Sequence, residues 1–101
     1  MVNITVKTSK DKVISISAKG HANYAANGQD IVCSAISAVL AGGFNALQGK
    51  HDLKVESGDT HYKCGDFISI HDEHVLETIV TQLLSIQESY PKNIRVSIDE
   101  D

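Results

Sequence analysis

The sequence predicts an α+β domain in which a mostly antiparallel sheet packs against two helices, in the order ββαββαβ. Two observations predict this class. Segments that alternate apolar and polar residues come in pairs, and each pair precedes a longer segment with helical periodicity. The connections between segments are short, which favours a layered α+β arrangement. With 101 residues, the chain is expected to form one domain over residues 1–101.

The first two strands are predicted as an antiparallel hairpin over residues 2–19, and Gly20 closes the second strand. A polar turn at residues 9–12 separates them. The apolar residues that alternate on either side of this turn are Val2, Ile4, Val6, Ile14, Ile16 and Ala18. We expect these side chains to share one buried face of the sheet.

A loop over residues 21–29 leads to the first predicted helix. Asp30 is the expected N-cap, because aspartate accepts hydrogen bonds from unpaired first-turn amides. The helix is predicted from about Ile31 to Gln48, with Gly49 ending it. Its interior Gly42-Gly43 pair costs helix stability, which predicts that another element approaches closely there.

The second half of the chain repeats the pattern of two strands and a helix. Leu53 and Val55 begin a third strand, residues 57–59 turn the chain, and a fourth strand is predicted from Tyr62 to Ile70.

Asp72 is the expected N-cap of the second helix, and Tyr90 before Pro91 ends it. This helix carries a one-sided apolar stripe of Val75, Leu76, Ile79, Val80, Leu83 and Leu84. Alternation at Ile94, Val96 and Ile98 predicts a final strand.

Composition excludes several functional classes. A formal charge of −4 argues against a nucleic-acid-binding surface, which is normally basic. No apolar run approaches the ~20 residues that span a bilayer, and the N-terminus lacks the pattern of a signal peptide. We therefore expect a cytoplasmic protein with no membrane partner, whose Cys33 and Cys64 are reduced thiols.

The strongest candidate site combines His21, in the Gly/Asn-rich loop, with Cys33, in the first turn of the following helix. A helix N-terminus favours thiolate over thiol. A neighbouring imidazole accepts the thiol proton, and the pair forms an activated sulfur nucleophile. Asp30 caps the helix, orients His21, or does both. First-turn amides are expected to stabilise an oxyanion.

Several alternatives compete with this interpretation. Cys33 by itself is compatible with a buried core position. Ser34 and Ser37 are expected to bond back to the helix backbone or to line the pocket rather than act as nucleophiles. His61, Cys64, His71 and His74 superficially resemble a set of metal ligands. Residues three apart on a strand point to opposite faces, so His61 and Cys64 are not expected to converge unless a bulge intervenes at Gly65. His71 is expected outside the second helix and His74 within its first turn, and no metal or other cofactor is predicted.

The motif Gly20-His21-Ala22 is followed by residues 28–37, which contain Asp-Ile-Val-Cys at 30–33. Together with the length and the ββαββαβ order, it resembles the Prp (YsxB-like) family of bacterial ribosomal-processing cysteine proteases. Asn23 stands where this family commonly has a small residue, often glycine.

The resemblance implies removal of a short N-terminal extension from ribosomal protein number twenty-seven of the large subunit, after an apolar motif rich in phenylalanine. By motif position, Cys33 is the nucleophile and His21 the general base. Asp30 is a possible third member. The family is also expected to be homodimeric, with a mobile loop 21–29 that orders around substrate. Candidates for substrate contact are Gly20, Ala22, Tyr24, Ser34 and Ser37.

Two other functional classes remain open. One is a thiol redox domain that uses Cys33, for which Cys64 is the sole intramolecular resolving thiol. The other is a non-catalytic ribosome-assembly or binding module in which Cys33 belongs to the core. The second class predicts that Cys33 resists mild alkylation.

Overall fold

A computed structural model describes residues 1–26 and 28–101, and in these residues the predicted order ββαββαβ is confirmed. The predicted loop 21–29 is therefore described except at Asn27. The elements are β1 (Val2–Ser9), β2 (Lys12–Gly20), α1 (Ile31–Asn45), β3 (His51–Glu56), β4 (Asp59–Cys64), α2 (Ile70–Ser89) and β5 (Ile94–Glu100).

The sheet is mostly antiparallel, as predicted, with the strand order β3-β4-β2-β1-β5. Strands β1 and β2 form the expected hairpin, and β4 pairs antiparallel with both β2 and β3. Strand β5 is the parallel exception, since it pairs with β1 after the chain has crossed over through α2. This order places the β3–β4 hairpin at one edge of the sheet and β5 at the other.

One face of the sheet and both helices share a single apolar core. The alternating residues of β1 and β2 contribute Val2, Ile4, Val6, Ile16 and Ala18, and the helices contribute Val32, Ile36, Leu40, Phe44, Leu76, Ile79, Val80 and Leu83. Burial of each large aliphatic side chain stabilises the fold by about 1.5–3 kcal/mol. Leu84 and Ile98, which the sequence pattern placed on buried faces, are exposed.

The two helices approach closely at Gly43. A Cβ atom at this position would overlap the side chain of Ile79, whereas Gly42 faces open space. The close approach predicted for the glycine pair therefore occurs at Gly43 alone, where the absence of a side chain lets α2 pack against α1.

The first helix ends earlier than predicted, at Asn45 instead of Gln48. Ala46 is the C-cap residue, and its N–H donates to the carbonyls of Gly43 and Phe44. Gly49 therefore does not end the helix. It lies in the following loop, where its own N–H donates to the carboxylate of Asp72.

Two boundaries around the second helix were also predicted wrongly. Strand β4 begins at Asp59 and ends at Cys64, before the predicted end at Ile70, and the next residue, Gly65, donates its N–H to the Lys50 carbonyl just before β3. Helix α2 begins at Ile70, and its N-cap is Ser69, whose hydroxyl accepts the Asp72 N–H at 3.1 Å.

Asp72 has a different role from the predicted cap. Its buried carboxylate accepts the N–H groups of Gln48 at 3.0 Å and Gly49 at 2.8 Å, and so joins the start of α2 to the loop after α1. Burial acts to raise the pKa of this carboxyl, but the hydrogen bonds from Gln48 and Gly49 lower it, and the net pKa lies below its ordinary value of 3.8. Its stabilising contribution is present above that ordinary value and is lost as the pH falls through the lowered pKa.

We expect Asp72→Ala to lower the free energy of unfolding at pH 7 by about 1–3 kcal/mol, because two amides lose a charged acceptor in a buried place. The difference from wild type should shrink well below pH 3.8, where the native carboxyl is protonated. Urea unfolding at the two pH values measures this. Asp66→Ala, at an exposed aspartate, is the matched control. Equal unfolding free energies for the two variants at pH 7 would contradict the role of Asp72.

Candidate active site

A groove of about 980 Å³ lies between α1 and the β3–β4 hairpin, and it contains most of the predicted site residues. His21 and Cys33 both line it. So do Gly20, Asp30, Ser34 and Ser37. The structure therefore brings the loop histidine and the helix cysteine into one cavity, although they come from different elements.

Cys33 is the third residue of α1, as the sequence predicted. Asp30 is the N-cap, and its Oδ1 accepts the Cys33 N–H at 2.9 Å. The side chain of Cys33 is half-buried, because it packs against the core while also lining the groove. A position at the junction of core and groove holds the sulfur in a fixed place and leaves it accessible from one side.

The Asp30 carboxylate also fastens the preceding loop. Its Oδ2 accepts the N–H of Tyr24 at 2.9 Å and that of Ala25 at 3.4 Å. The hydrogen bond from Cys33 is the main cause that lowers the pKa of Asp30, and those from the loop add to it. In the described parts of the chain, the hydrogen-bond partners of this carboxylate are backbone amides and not the His21 ring. Asp30 thus caps the helix and shapes the loop.

The same bonds bear on the expected oxyanion donors. The Cys33 N–H is bound by the Asp30 side chain, and the Ser34 N–H donates to the Asp30 carbonyl at 3.1 Å. Both of these first-turn amides are therefore paired in this conformation. Donation by the Cys33 amide to an oxyanion requires that its bond to Asp30 lengthen or break.

His21 is exposed, and its ring lies against the backbone of Gly58 in the β3–β4 turn. A Cβ atom at Gly58 would come within 2.7 Å of His21 Nε2. The neighbouring Gly20 donates its N–H to the Gly58 carbonyl at 2.9 Å. The φ angles of Gly20 and Gly58 are positive, 102° and 72° respectively, and residues other than glycine rarely adopt such angles. The sequence marked Gly58 only as a turn residue, so its contact with the imidazole was missed.

Two of the predicted loop contacts lie outside the groove. Ala22 is buried in the core, at 1% exposure. The ring of Tyr24 packs edge-on against Tyr90, with a centroid separation of 5.4 Å. Between them, Asn23 has a left-handed φ of 56°, a conformation that glycine and asparagine adopt more readily than other residues.

The apolar wall of the groove was not predicted as part of a site. Leu53 and Val55 on β3 line it, together with Leu40 and Phe44 on α1. Leu53 and Val55 are exposed at 41% and 66%, which is unusual for the inward face of a strand. The sequence showed their alternation, but not that α1 leaves this end of the sheet uncovered.

The histidines that resembled a metal set are dispersed. His61 Nδ1 lies 2.6 Å from Ser17 Oγ on the polar face of the sheet, and His71 Nε2 lies 2.9 Å from the Ala46 carbonyl oxygen. Across residues 1–26 and 28–101, no three metal-ligating side chains gather. Neither described helix has the length and hydropathy to cross a membrane.

Comparison with known proteins identifies the family. The model of the family "Cysteine protease Prp" matches residues 1–95. The chain belongs to the Prp family. The ribosomal processing cysteine protease Prp of Staphylococcus aureus is 34% identical over 102 residues, which cover 95% of each chain. That of Bacillus subtilis is 32% identical over 108 residues, which cover 96% of each. The family resemblance is thus confirmed, and the protein is a cysteine protease.

Solved Prp structures share the fold. Staphylococcus aureus Prp in complex with a covalently linked product peptide superposes with a TM-score of 0.93 at 29% identity, over 98% of this chain and 100% of that one. The same enzyme in complex with a substrate peptide gives a TM-score of 0.86 at 28% identity, with the same coverage.

We expect Gly58→Ala to lower kcat on a peptide substrate by about 100-fold, because the new methyl group displaces the imidazole by about 1 Å or more. The substitution also strains a residue with positive φ, so the thermal midpoint is measured alongside kcat. Gly42→Ala, in open space on α1, is the matched control and should leave kcat unchanged. A wild-type kcat for Gly58→Ala in a folded protein would show that the ring does not depend on this contact.

Proposed function

We propose that this Prp-family protease is an endopeptidase that removes the N-terminal extension of large-subunit ribosomal protein number twenty-seven, cleaving after an apolar motif that contains phenylalanine. Cys33 is the nucleophile and His21 the general base. The observation that carries the proposal is that His21 and Cys33 line one groove, and that this groove also has an apolar wall made by side chains of α1 and β3, namely Leu40, Phe44, Leu53 and Val55. Relatives in two bacteria are named ribosomal processing cysteine proteases, which supports the substrate class.

The shape of the groove suits an extended apolar peptide. Its α1 wall runs from Cys33 to Asn45, which corresponds to about 18 Å at the helical rise of 1.5 Å per residue. An extended chain covers this distance in about five residues. Because Cys33 lies at one end of this wall, the apolar recognition extends to one side of the scissile bond.

The reaction follows the sequence of steps of a thiol protease. His21 accepts the proton of the Cys33 thiol, and the sulfur attacks the carbonyl carbon of the scissile bond. The tetrahedral intermediate collapses to a thioester as the imidazolium gives its proton to the leaving amine. His21 then takes a proton from water, which attacks the thioester. The peptide acid departs, and the thiol of Cys33 is restored.

Asp30 contributes to the proposed mechanism by holding other residues in place. Its carboxylate fixes the start of α1 and the loop that carries His21, by bonds to Cys33 and Tyr24. In the proposed mechanism, the charge that develops on the substrate carbonyl competes with Asp30 for the Cys33 N–H. The bound peptide completes the site, because the Cys33 N–H becomes available to the substrate carbonyl only when its bond to Asp30 is released, so the resting enzyme is weakly active.

The test is an intact-mass assay with a peptide that carries the N-terminal extension. We expect one cleavage by wild type and none by Cys33→Ala or His21→Ala. Cys64→Ala and His61→Ala are the matched controls, because they change the same residue types outside the groove, and both should cleave as wild type does. Cleavage by His21→Ala would overturn the base assignment. If wild type does not cleave this peptide but cleaves another apolar peptide, the proposed substrate is wrong.

The substrate implies a cytoplasmic location, where ribosomal precursors are made, and it requires no direct contact with nucleic acid.

We also propose that the protein is a homodimer, as the family resemblance implies. Light scattering during size exclusion is expected to give twice the chain mass of 10.9 kDa. A mass of one chain at micromolar concentration would contradict this.

A further inference from the structure

The α2–β5 turn contacts the loop that carries His21 through a residue that does not line the groove. Asn93 Nδ2 donates to the Ala22 carbonyl at 2.9 Å, across 71 positions of sequence. Because a carbonyl oxygen only accepts, the side-chain atom that faces it is the amide nitrogen. Neither Asn93 nor this turn was part of the predicted site.

Asn93 is itself held firmly by its backbone. Its N–H donates to the Tyr90 carbonyl at 3.0 Å, and its carbonyl accepts the Val2 N–H at 2.9 Å. One of these bonds closes the turn after α2, and the other fixes the turn to the first residue of β1. The side chain therefore extends from a rigid place at the end of the core.

The Asn93 bond reaches a part of the loop where neighbouring residues are also fixed. Ala22 is buried, and the next residue, Asn23, has the left-handed φ of 56°. The Tyr24 N–H that follows is held by Asp30. On the other side of His21, Gly20 is bound to Gly58. His21 therefore has a hydrogen-bonded residue on each side, and the Asn93 bond holds the peptide group between Ala22 and Asn23.

We propose that Asn93 is a positioning residue for the protease. Its side-chain amide fixes the Ala22 carbonyl and thereby holds the His21 ring against Gly58, in the groove that Cys33 also lines. This inference rests on the proposed role of His21 as general base. Loss of the bond frees the Ala22 peptide group to rotate, and the imidazole moves away from its seat. The parts of β3 and α1 that line the groove, where the substrate is proposed to bind, do not include Ala22 or Asn93, and we expect loss of the Asn93 bond to leave them unchanged.

The test compares Asn93→Asp and Asn93→Ala with wild type. Aspartate has nearly the same shape, but its carboxylate cannot donate to a carbonyl at neutral pH. We expect both variants to lower kcat by about 10- to 100-fold, with KM within about threefold of wild type since the groove is intact. Asn3→Asp and Asn3→Ala, at an exposed asparagine of β1, are the matched controls and should keep wild-type kinetics.

A second measurement separates this proposal from the proposed function. NMR of ¹³C-histidine-labelled protein, with the His21 signals assigned by His21→Ala, is expected to show shifted His21 ring signals in both Asn93 variants and unshifted signals in the Asn3 controls. Unshifted His21 signals, or kcat values equal to those of the controls, would overturn the positioning role. Should wild type cleave no peptide, the proposed function fails, and the ring signals still decide the role of Asn93. If Asn93→Asp does not fold, Asn93→Ala decides it.

Discussion

The Asp30 carboxylate joins the two halves of the candidate active site. One oxygen caps α1 at the Cys33 amide, and the other binds the amides of Tyr24 and Ala25 in the preceding loop. A carboxylate is well suited to this because two oxygens accept several hydrogen bonds at once. The bonds also explain the lowered pKa of Asp30. This one side chain thus makes hydrogen bonds to both the helix that carries Cys33 and the loop that carries His21.

The second helix uses an aspartate in a related way. Asp72 lies within the first turn of α2 and accepts two amides from the loop that follows α1. Each ββα unit therefore has an aspartate at the start of its helix that binds amides of another segment. The difference is in what each one fixes: Asp30 shapes the loop at the groove, whereas Asp72 fixes the return of the chain into β3, whose Leu53 and Val55 form the apolar wall.

The position of the His21 ring depends on contacts from distant parts of the chain. The His21 ring lies on Gly58, and the N–H of Gly20 and the carbonyl of Ala22, one residue on either side of His21, are bound by Gly58 and Asn93. These contacts come from the β3–β4 turn and the α2–β5 turn, which the sheet order places on either side of β2 and β1. Preorganisation of this kind allows a small domain to hold an exposed histidine without burying it.

The sequence by itself determined the order of elements, the buried face of β1 and β2, the capping role of Asp30 and the family, because each is encoded in local periodicity or in a short motif. It misplaced the start of α2, since both Ser69 and Asp72 are good capping residues and only the position of the Gln48–Gly49 loop assigns Asp72 to another task. It also gave no signal for Gly58 and Asn93 as neighbours of His21. Those contacts exist only once β4 has paired with β2 and β5 with β1, and such long-range pairing is decided by the packing of the whole core.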